Sequence, residues 1–358
     1  MYIIQIMPEF GLAGAETMCE NLLYELKKMG HKVGVISLYD FKSPITERLE
    51  QAGIKIEYLD KKPGLDISII FKMAKFLKKE KPDVVHTHRY VMQYVIPASI
   101  IAGIKKRVHT VHNVAKKENG KMARKLAKIF YHRCHVIPVA LSNLVKKTIV
   151  DEYSIAEEKV PVVFNGVNLD NCIQKLNYEE KQIFTILHIG RFAEAKNHME
   201  LVKGFEIFHK KYGNTRLKLI GEGNLKEKVN NYVVSHKLKD CVEFMGTKDT
   251  VYSFLNAADI FALPSSYEGI PMTLIEAMGT GLPIVSSPVG GIPDMLEDEK
   301  SALLVKGEAE YIAEAFDRLY CNAGLRKKLG ENAKLQSEKF SSKEMAEKYC
   351  DIYELERK

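Results

Sequence analysis

Two glutamates, Glu268 and Glu276, lie eight residues apart in the segment SYEGIPMTLIEAMGTGLPIVSSPVGG (266–291). Glu268 lies in a turn after the apolar run IFAL, whereas Glu276 lies among good helix formers that follow Pro271. Because its neighbours are apolar, we expect Glu276 in a largely buried helix, where a carboxylate needs hydrogen-bond donors or a cation. Ligand hydroxyl groups could supply them, and the alternative is a solvated surface glutamate.

Two cations, Arg191 and Lys196, lie in the segment GRFAEAKN (190–197), which follows a predicted strand and precedes a predicted helix. Arginine binds oxyanions through its planar fork, and lysine acts as a point charge. Together with the free N–H groups of a helix start, these two side chains suit a diphosphate. The alternative is that both are solvated surface cations.

Glycines follow several other predicted strands: Gly14 in GLAGAE, Gly221 in GEGN, Gly246 in FMGT, and Gly290 and Gly291 in SPVGG. Gly14 would let a phosphate approach the backbone at a helix start, although GLAGAE is not the dinucleotide pattern GxGxxG. Small residues at Gly221 and Gly246 would leave room for a planar base. For each turn taken alone, ordinary turn chemistry is the alternative.

Histidines follow two predicted strands of the first half, in HTH (86–88) and HTVHN (109–113). His112, in the second cluster, could bind sugar hydroxyl groups or move a proton near neutral pH, and the alternative is a structural role. Neither cluster has the HExxH spacing or a nearby carboxylate ligand, so no metal site is predicted. The six cysteines include no CxxC pair, which favours a reducing cytosol.

The segment KKENGKMARKLAKIFYHRC (116–134) is predicted to form a basic amphipathic helix. Its apolar stripe consists of Met122, Leu126, Ile129 and Phe130. Its cations away from that stripe are Lys121, Arg124, Lys125 and Lys128. Such a helix could lie on an anionic membrane surface, and the alternative is a core-packed helix with a solvated basic face.

The elements that must position these residues alternate between strand and helix. The predicted strands of the first half are 2–7, 33–37, 54–58, 83–87, 106–111, 135–139 and 160–163. Most are continuous apolar runs, which are typical of parallel strands covered on both faces. A polar stretch at 164–182 is the predicted linker, after which the same pattern restarts with FTILHIG.

The sequence therefore predicts an α/β fold with two Rossmann-like domains that face a central cleft. The first spans residues 1–166 and the second 167–340, while a last helix in 341–358 could pack in either domain. Open sheets of this kind bind ligands beyond the carboxyl ends of their strands, where the residues singled out above are expected.

Composition adds limits. No apolar run among the 358 residues approaches the roughly 18 needed to span a membrane, and MYIIQIM resembles a first strand more than a signal peptide. Residues 1–168 carry 27 basic against 17 acidic residues (+10), and residues 169–358 carry 26 against 29 (−3). The basic half could face phosphorylated substrates or anionic lipid, or it is simply a solvated surface. Nucleic acid is disfavoured because no aromatic platform is interleaved with the cations.

The motifs GLAGAE, HTVHN, FNGVN, GRFAEAKN, GEGN and EGIPMTLIEAMGTGLPIVSSPVGGIPD, in this order, resemble the retaining family 4 glycosyltransferases of the GT-B fold. The resemblance covers nearly the whole chain and is most specific in the E-x7-E spacing from Glu268 to Glu276. It implies a nucleotide-sugar donor, expected to be a UDP-sugar, held mainly by the second domain. The expected reaction is hexosyl transfer, with retention, to a glycan or lipid-linked acceptor in cell-surface polysaccharide synthesis.

Carried over by position, the resemblance also implies a role for each site residue. Arg191 and Lys196 would hold the diphosphate, and Glu276 would take the ribose hydroxyl groups. Glu268 would contact the donor sugar, together with the backbone of Gly269, Ile270, Met272 and Thr273.

Three further positions follow from the same resemblance. Gly14 would bring the backbone of the first domain to the phosphate, and His112 would lie near the reacting sugar. The turn at Gly246 would face the base, with Gly221 nearby on the donor side. The expected catalytic residues are therefore His112, Glu268, Arg191 and Lys196.

No DxD motif lies in a suitable loop, so we expect metal-independent catalysis with no cofactor besides the donor substrate. The expected location is the cytoplasm, with possible contact with the inner face of the plasma membrane. Two alternatives stay open: a sugar-nucleotide epimerase or hydrolase of the same fold, and a non-catalytic subunit that binds a nucleotide sugar.

Overall fold

The computed structural model describes residues 1–11, 13–118, 120–179 and 182–355 and forms two compact units. The first unit comprises Met1–Gly166 and Ser342–Lys358, and the second comprises Val167–Ser341. Four parts of the predicted segments lie outside the described residues: Leu12 of GLAGAE, Asn119 of the basic segment, 180–181 of the linker and 356–358 of the last helix. No helix in the described ranges has the length and apolarity needed to cross a membrane.

The first unit is built on a parallel sheet of six strands. They are β1 (Tyr2–Met7), β2 (Lys32–Ser37), β3 (Lys55–Tyr58), β4 (Val84–His88), β5 (Lys106–Val111) and β6 (Val136–Ala140). Their order is β3-β2-β1-β4-β5-β6, so the chain changes direction across the sheet between β1 and β4. The loops that follow these two strands therefore flank a topological switch point, where sheets of this type bind ligands.

Six of the seven strands predicted for the first half are present, each within one residue of its predicted bounds. The prediction of a strand at 160–163 is wrong, because among these residues only Val162 pairs, in one isolated parallel bridge to Ala140. The preceding residue, Pro161, has no N–H group to continue a ladder, which limits the pairing to this single bridge.

Helices connect these parallel strands, and connections of this kind are generally right-handed. They are α1 (Gly14–Lys28), α2 (Pro44–Gln51), α3 (Ser68–Glu80), α4 (Met92–Ile101), α5 (Ala115–Glu118), α6 (Lys121–Arg133) and α7 (Asn143–Tyr153). Apolar side chains of β1 and β4 pack against α3 and α4 in a buried cluster. The sheet is thus covered by helices, as its continuous apolar strands require.

The second unit repeats the same topology. Its strands are β7 (Phe184–Ile189), β8 (Thr215–Ile220), β9 (Val242–Phe244), β10 (Ile260–Leu263), β11 (Ile284–Ser286) and β12 (Leu303–Leu304). Their order is β12-β11-β10-β7-β8-β9, and all neighbouring strands are parallel. The switch point of this sheet lies between β7 and β10.

The helices of the second unit pack around this sheet. They are α8 (His198–Tyr212), α9 (Lys226–Ser235), α10 (Tyr252–Ala257), α11 (Met272–Thr280), α12 (Ile292–Met295), α13 (Ala309–Tyr320) and α14 (Ala323–Ser337). Helices α8 and α13 pack closely at Gly204, where a Cβ atom would lie 2.8 Å from the carbonyl oxygen of Ala309. Glycine at this position therefore allows the close helix–helix approach.

The last helix, α15 (Ser342–Glu354), belongs to the first unit and packs against α1. Tyr349 and Tyr353 are fully buried and carry their hydroxyl groups to the sheet. Tyr349 bonds to Thr110 at 2.7 Å, and Tyr353 bonds to His86 at 2.7 Å. The helix is therefore fixed to the first unit by buried polar contacts as well as by apolar packing.

A buried arginine holds the start of the second unit against its last helices. Arg326, 2% exposed, donates from Nε and Nη2 to the carbonyl oxygen of Tyr178 at 3.0 and 2.6 Å. Its Nη1 donates to the carbonyl oxygens of Leu319 and Tyr320 at 2.5 and 2.8 Å. A planar fork of donors can satisfy these acceptors together, whereas a single ammonium group cannot.

We expect Arg326→Lys to lower the free energy of unfolding by about 2–4 kcal/mol, because it leaves buried carbonyl oxygens without donors. Urea denaturation followed by circular dichroism measures this change. The control is Arg318→Lys, at an arginine that pairs with Glu299 in an exposed site and should change stability by less than about 1 kcal/mol. Equal losses in the two variants would contradict the role assigned to Arg326.

Candidate functional site

The loops that follow β7 and β10 are joined at the switch point of the second unit. Lys196 donates from Nζ to Glu268 Oε1 at 2.6 Å, and Ser265 donates from its hydroxyl to the same oxygen at 2.5 Å. The backbone N–H of Ser266 donates to the carbonyl oxygen of Ala195 at 2.9 Å. Glu268 is only 7% exposed, so its carboxylate is held by a cation and a hydroxyl group in a largely dry position.

Arg191 follows β7 directly but differs from Lys196 in its contacts. Its side chain is exposed, and within the described ranges it makes no hydrogen bond or ion pair. Since no carboxylate neutralises it, its guanidinium group is available to an anion from solution. The loop after β7 thus offers one engaged and one available cation.

Glu276 lies inside α11, as the sequence predicts, and its neighbours Leu274, Ile275, Ala277 and Met278 are fully buried. No hydrogen bond or ion pair joins its carboxylate to another residue of the described part of the chain. Burial raises the pKa of Glu276 to about 7. The side chain therefore lacks the partners that a buried carboxylate needs, and a ligand could supply them.

The backbone positions singled out beside Glu268 lie at the start of α11. Gly269 and Ile270 lie in the turn before the helix, and Met272 and Thr273 are its first two residues. The N–H groups of the first helical residues have no acceptors within the helix, and they carry the positive end of its dipole. They are therefore suited to contact ligand oxygen atoms.

Two of the glycines have a steric explanation within the protein. A Cβ atom at Gly221 would collide with the carbonyl oxygen of Gly190, and one at Gly290 would collide with that of Glu268. Both residues also have positive φ, at 140° and 60°. These glycines allow neighbouring loops to pack together. At Gly290 the group that comes close to the backbone is the carbonyl group of Glu268.

The turn at Gly246 lies beside the turn at Gly221. The N–H of Gly221 donates to the carbonyl oxygen of Gly246 at 2.9 Å, and Gly246 has a φ of 66°. A left-handed conformation at this position favours glycine for reasons of backbone geometry alone. Gly221 follows β8 and Gly246 follows β9, so both turns lie on the β8–β9 side of the switch point.

In the first unit, His112 follows β5 and is joined to a buried polar network. Its Nε2 lies 3.0 Å from Nδ1 of His88, the last residue of β4. Burial, with the positive charge of Arg89 nearby, lowers the pKa of His112 to about 3. The ring is therefore neutral at physiological pH and can accept one hydrogen bond while donating another.

Gly14 is the first residue of α1 and is exposed, so the start of this helix is accessible. Two residues that sequence analysis missed lie beside it. Arg89, which follows β4, pairs with Glu16 in the first turn of α1 at 2.5 Å. Arg89 has a φ of 58°, a conformation that costs a non-glycine residue about 1 kcal/mol or more. This pair joins the loops after β1 and β4.

Other contributors were also missed. Ser265 bonds to Glu268, Gln5 bonds to His88, and two tyrosines of α15 bond to the β4–β5 region. For Arg89 the available signal was its position directly after the HTH cluster. For Gln5 it was a polar residue in the otherwise apolar strand YIIQIM. The tyrosine contacts join residues more than 200 positions apart, so no local pattern indicates them.

The basic helix α6 exposes most of the stripe predicted for it. Met122 is 76% and Ile129 is 52% exposed, with Leu126 between them also exposed. Ala127 and Tyr131 pack inward together with the half-buried Phe130, so α6 is core-packed through these residues while the rest of the stripe is exposed. The cation Arg124 turns away from solvent and pairs with Glu152, whereas Lys121, Lys125 and Lys128 are exposed.

Within the described residues, no cluster of three or more His, Cys, Asp or Glu side chains could hold a metal ion. Arg191 and Lys196 are the positively charged side chains of the described loop that follows β7, at the switch point. The site that the chain itself builds here therefore pairs cationic groups with one neutralised and one unpaired carboxylate.

Two family models match successive parts of the chain. The model "Glycosyltransferase Family 4" matches residues 12–171, and "Glycosyl transferases group 1" matches residues 170–336. Together they extend from the start of α1 nearly to the end of α14, and β1 and α15 lie outside the matched ranges. The matched ranges meet at the boundary between the two units.

Individual proteins are similar over most of the chain. The Escherichia coli UDP-Gal:alpha-D-GlcNAc-diphosphoundecaprenol alpha-1,3-galactosyltransferase is 29% identical over 260 residues, 67% of each chain. The Staphylococcus aureus capsular polysaccharide biosynthesis glycosyltransferase CapH is 26% identical over 262 residues, 69% of this chain and 70% of its own.

Among solved structures, Anabaena HepE in complex with UDP-glucose matches with a TM-score of 0.83 at 17% identity, covering 98% of each chain. At this identity the match establishes the fold and no more. The two parallel six-stranded sheets, the structural match and the two successive family matches agree, and the chain belongs to the group 1, family 4 glycosyltransferases of the GT-B fold.

Proposed function

We propose that this glycosyltransferase moves a hexosyl group from a UDP-sugar to a glycan or lipid-linked acceptor in cell-surface polysaccharide synthesis, with retention of configuration. The observation that carries the proposal is the combination at the second unit's switch point. Among the described residues, one cation there, Arg191, has no partner for its side chain, and one carboxylate, Glu276, is partly buried without a partner. A nucleoside diphosphate offers the complementary pair, an anion and ribose hydroxyl groups.

The proposed roles follow from these environments. Arg191 and Lys196 hold the diphosphate and stabilise the charge that develops on it as the glycosidic bond breaks. Glu268 is fixed by Lys196 and Ser265 and contacts the donor sugar, with the N–H groups at the start of α11 beside it. Glu276 accepts hydrogen bonds from the ribose.

In the first unit, Gly14 presents the start of α1 to phosphate oxygens, and His112 contacts the reacting sugar. We place Gly221 and Gly246 on the nucleotide side because their turns follow β8 and β9, which lie together on one side of β7. These roles assign leaving-group stabilisation to side-chain cations and helix dipoles, so the proposed reaction is metal-independent and should survive chelation by EDTA.

The names of two related proteins support the choice of donor and pathway. The Escherichia coli relative is named for UDP-Gal and a diphosphoundecaprenol acceptor, and the Staphylococcus aureus relative for capsular polysaccharide biosynthesis. The solved neighbour contains UDP-glucose. A UDP-sugar is thus named for two of these proteins, and the acceptor and the pathway of the proposal each agree with one of the names.

We expect UDP to raise the melting temperature of the protein, because a ligand that binds only the folded state stabilises it. Arg191→Ala should reduce the affinity for UDP by about 10- to 100-fold, since it removes charge-assisted hydrogen bonds to the diphosphate. Thermal unfolding with UDP, GDP and ADP measures both effects.

The matched control for this experiment is Arg216→Ala, at an arginine on β8 that pairs with Glu243. It should leave the UDP shift unchanged. A shift with GDP or ADP alone would contradict the proposed base, and no shift with any nucleotide would contradict the nucleotide site itself. Release of sugar from the donor only when an acceptor is present separates a transferase from a hydrolase or epimerase.

We expect UDP affinity to rise with pH through Glu276, whose raised pKa of about 7 leaves it mostly protonated at pH 6 and mostly ionised at pH 8. The ionised form accepts ribose hydrogen bonds better, so its contribution should grow by up to about tenfold across this range. Isothermal titration calorimetry with UDP at both pH values measures it.

The comparison is with Glu276→Gln, which should bind UDP more weakly at pH 8 and lose this part of the pH dependence. Titration of the UDP phosphate itself is common to both proteins and cancels in the difference. Glu331→Gln, on the exposed side of α14, should behave as the wild type. Identical pH profiles for the wild type and Glu276→Gln would remove the ribose role.

We also propose that the segment 116–134 contacts an anionic membrane surface through α6. Its exposed face combines the apolar side chains Met122, Leu126 and Ile129 with the cations Lys121, Lys125 and Lys128. On a helical projection the apolar residues lie on one flank and the lysines on the other, with the buried Ala127 and Tyr131 between them on the inner side. A helix with this exposed surface suits the boundary between lipid headgroups and acyl chains.

Replacing Lys121, Lys125 and Lys128 by Gln should weaken binding to phosphatidylglycerol vesicles by at least about tenfold at low salt, at roughly 1 kcal/mol per basic residue. Vesicle cosedimentation measures this binding. The control replaces the exposed Lys75, Lys78 and Lys79 of α3 by Gln, with the same change in net charge. Equal losses in the two triple variants would show that α6 has no special role.

A further inference from the structure

We propose that Gln5 and His88 are positioning residues that select the tautomer of His112. The proposal rests on the role in sugar contact proposed above for His112, and it explains how that ring is prepared. It concerns three side chains from three neighbouring strands of the first unit: Gln5 on β1, His88 at the end of β4 and His112 after β5. Nothing in their local sequence pattern indicates that they are connected.

The connection is a chain of two hydrogen bonds. Gln5 Oε1 lies 2.8 Å from His88 Nε2, and His88 Nδ1 lies 3.0 Å from His112 Nε2. Gln5 and His88 are fully buried. Water therefore does not compete for these bonds, and each one restricts which atom carries a proton.

The direction of donation follows from the amide oxygen. A carbonyl oxygen only accepts, so His88 Nε2 carries a proton and donates it to Gln5. Burial lowers the pKa of His88 well below its usual value, so the ring is neutral and its Nδ1 is an acceptor. His112 Nε2 must then carry a proton, which leaves His112 Nδ1 unprotonated.

On its other side the Gln5 amide contacts a tyrosine of α15. Gln5 Nε2 donates to the hydroxyl of Tyr353 at 3.2 Å, and this hydroxyl lies 2.7 Å from His86 Nδ1. His86 Nε2 continues to Thr110 at 2.7 Å, and Thr110 bonds to Tyr349. The tyrosines of α15 thus continue the hydrogen-bond chain, while the direction of donation at His88 and His112 is set by Gln5 Oε1, which faces His88.

Because the proton of the His112 ring lies on Nε2, its Nδ1 has an unshared electron pair that can accept a hydrogen bond. No described residue donates to this atom, so it is free to accept an O–H from a sugar. The other charged or titratable groups near the ring are Arg89, His109 and the carboxyl of Glu118, whose pKa burial raises to about 7. With Nε2 engaged by His88, a sugar hydroxyl group is held as a hydrogen-bond donor to Nδ1.

The first test reads the tautomer directly, in the absence of any substrate. In the full-length protein with ¹⁵N-labelled histidine, long-range ¹H–¹⁵N spectra distinguish protonated from unprotonated ring nitrogens, and His112→Gln assigns the signal. We expect His112 in the Nε2–H form in the wild type. In Gln5→Met, which keeps the side-chain volume but removes the acceptor, we expect the His112 ring to become a mixture of both tautomers.

The control is Thr87→Val, which removes the hydroxyl 2.8 Å from Nδ1 of His109, outside the chain from Gln5 to His112. It should leave the His112 signals unchanged. An Nδ1–H form of His112 in the wild type, or an unaltered His112 spectrum in Gln5→Met, would overturn the proposal. Because Gln5→Met is assayed for folding by circular dichroism, loss of structure is recognised separately, and the wild-type spectrum still decides the tautomer.

The second test is kinetic and measures UDP release from UDP-sugars, UDP-galactose first, with GlcNAc-diphosphoundecaprenol present as the acceptor, the pair named for the Escherichia coli relative. Gln5→Met should lower kcat by about tenfold while leaving KM for the donor within twofold, since the second unit's contacts are untouched. A rise in KM with unchanged kcat would contradict a positioning role. If the wild type releases no UDP from any UDP-sugar, the proposed function fails at this step, while the tautomer measured in the free protein stands or falls independently.

Discussion

The parallel pairing of the first and fourth strands of each sheet is the constraint on which the rest of the structure depends. In the second unit, β7 and β10 are neighbours, so the loops after them begin side by side although they lie about 75 residues apart in sequence. The ion pair between Lys196 and Glu268 joins these loops. Without this strand order, the segments GRFAEAKN and SYEGI would have no reason to meet.

The first unit uses the same constraint for a different purpose. Here β1 and β4 are neighbours, and Arg89 and Glu16 join the loops that follow them. Strand β1 also carries Gln5, which reaches the end of β4 and through it His112. A chain of neutral hydrogen bonds, buried and continuous to α15, can fix proton positions in a way that exposed ion pairs cannot, because water does not exchange with it.

Two carboxylates separated by eight residues have opposite environments, and this difference gives each its role. Glu268 is neutralised by Lys196 and accepts a hydrogen bond from the hydroxyl group of Ser265, so its carboxylate is a fixed and oriented acceptor. Glu276 has no such partner in the part of the chain that the structure describes, and burial raises its pKa to about 7. A group of this kind costs stability in the free protein and is compensated when a ligand supplies the missing donors.

The sequence by itself determined the α/β class, six strands of the first unit within one residue, the helix around Glu276 and the E-x7-E spacing, because periodicity, apolar runs and capping residues are local properties. It did not determine the pairing at 160–163, where Pro161 interrupts the ladder, or the exposure of the apolar stripe on α6. Only the tertiary structure decided that Lys196 pairs with Glu268 whereas the side chain of Arg191 is exposed to solvent. The same is true of the hydrogen bonds that Gln5 and Tyr353 form with histidines far away in sequence. The physical reason is that hydrogen bonds and ion pairs depend on strand order and distance in space, which no local pattern encodes.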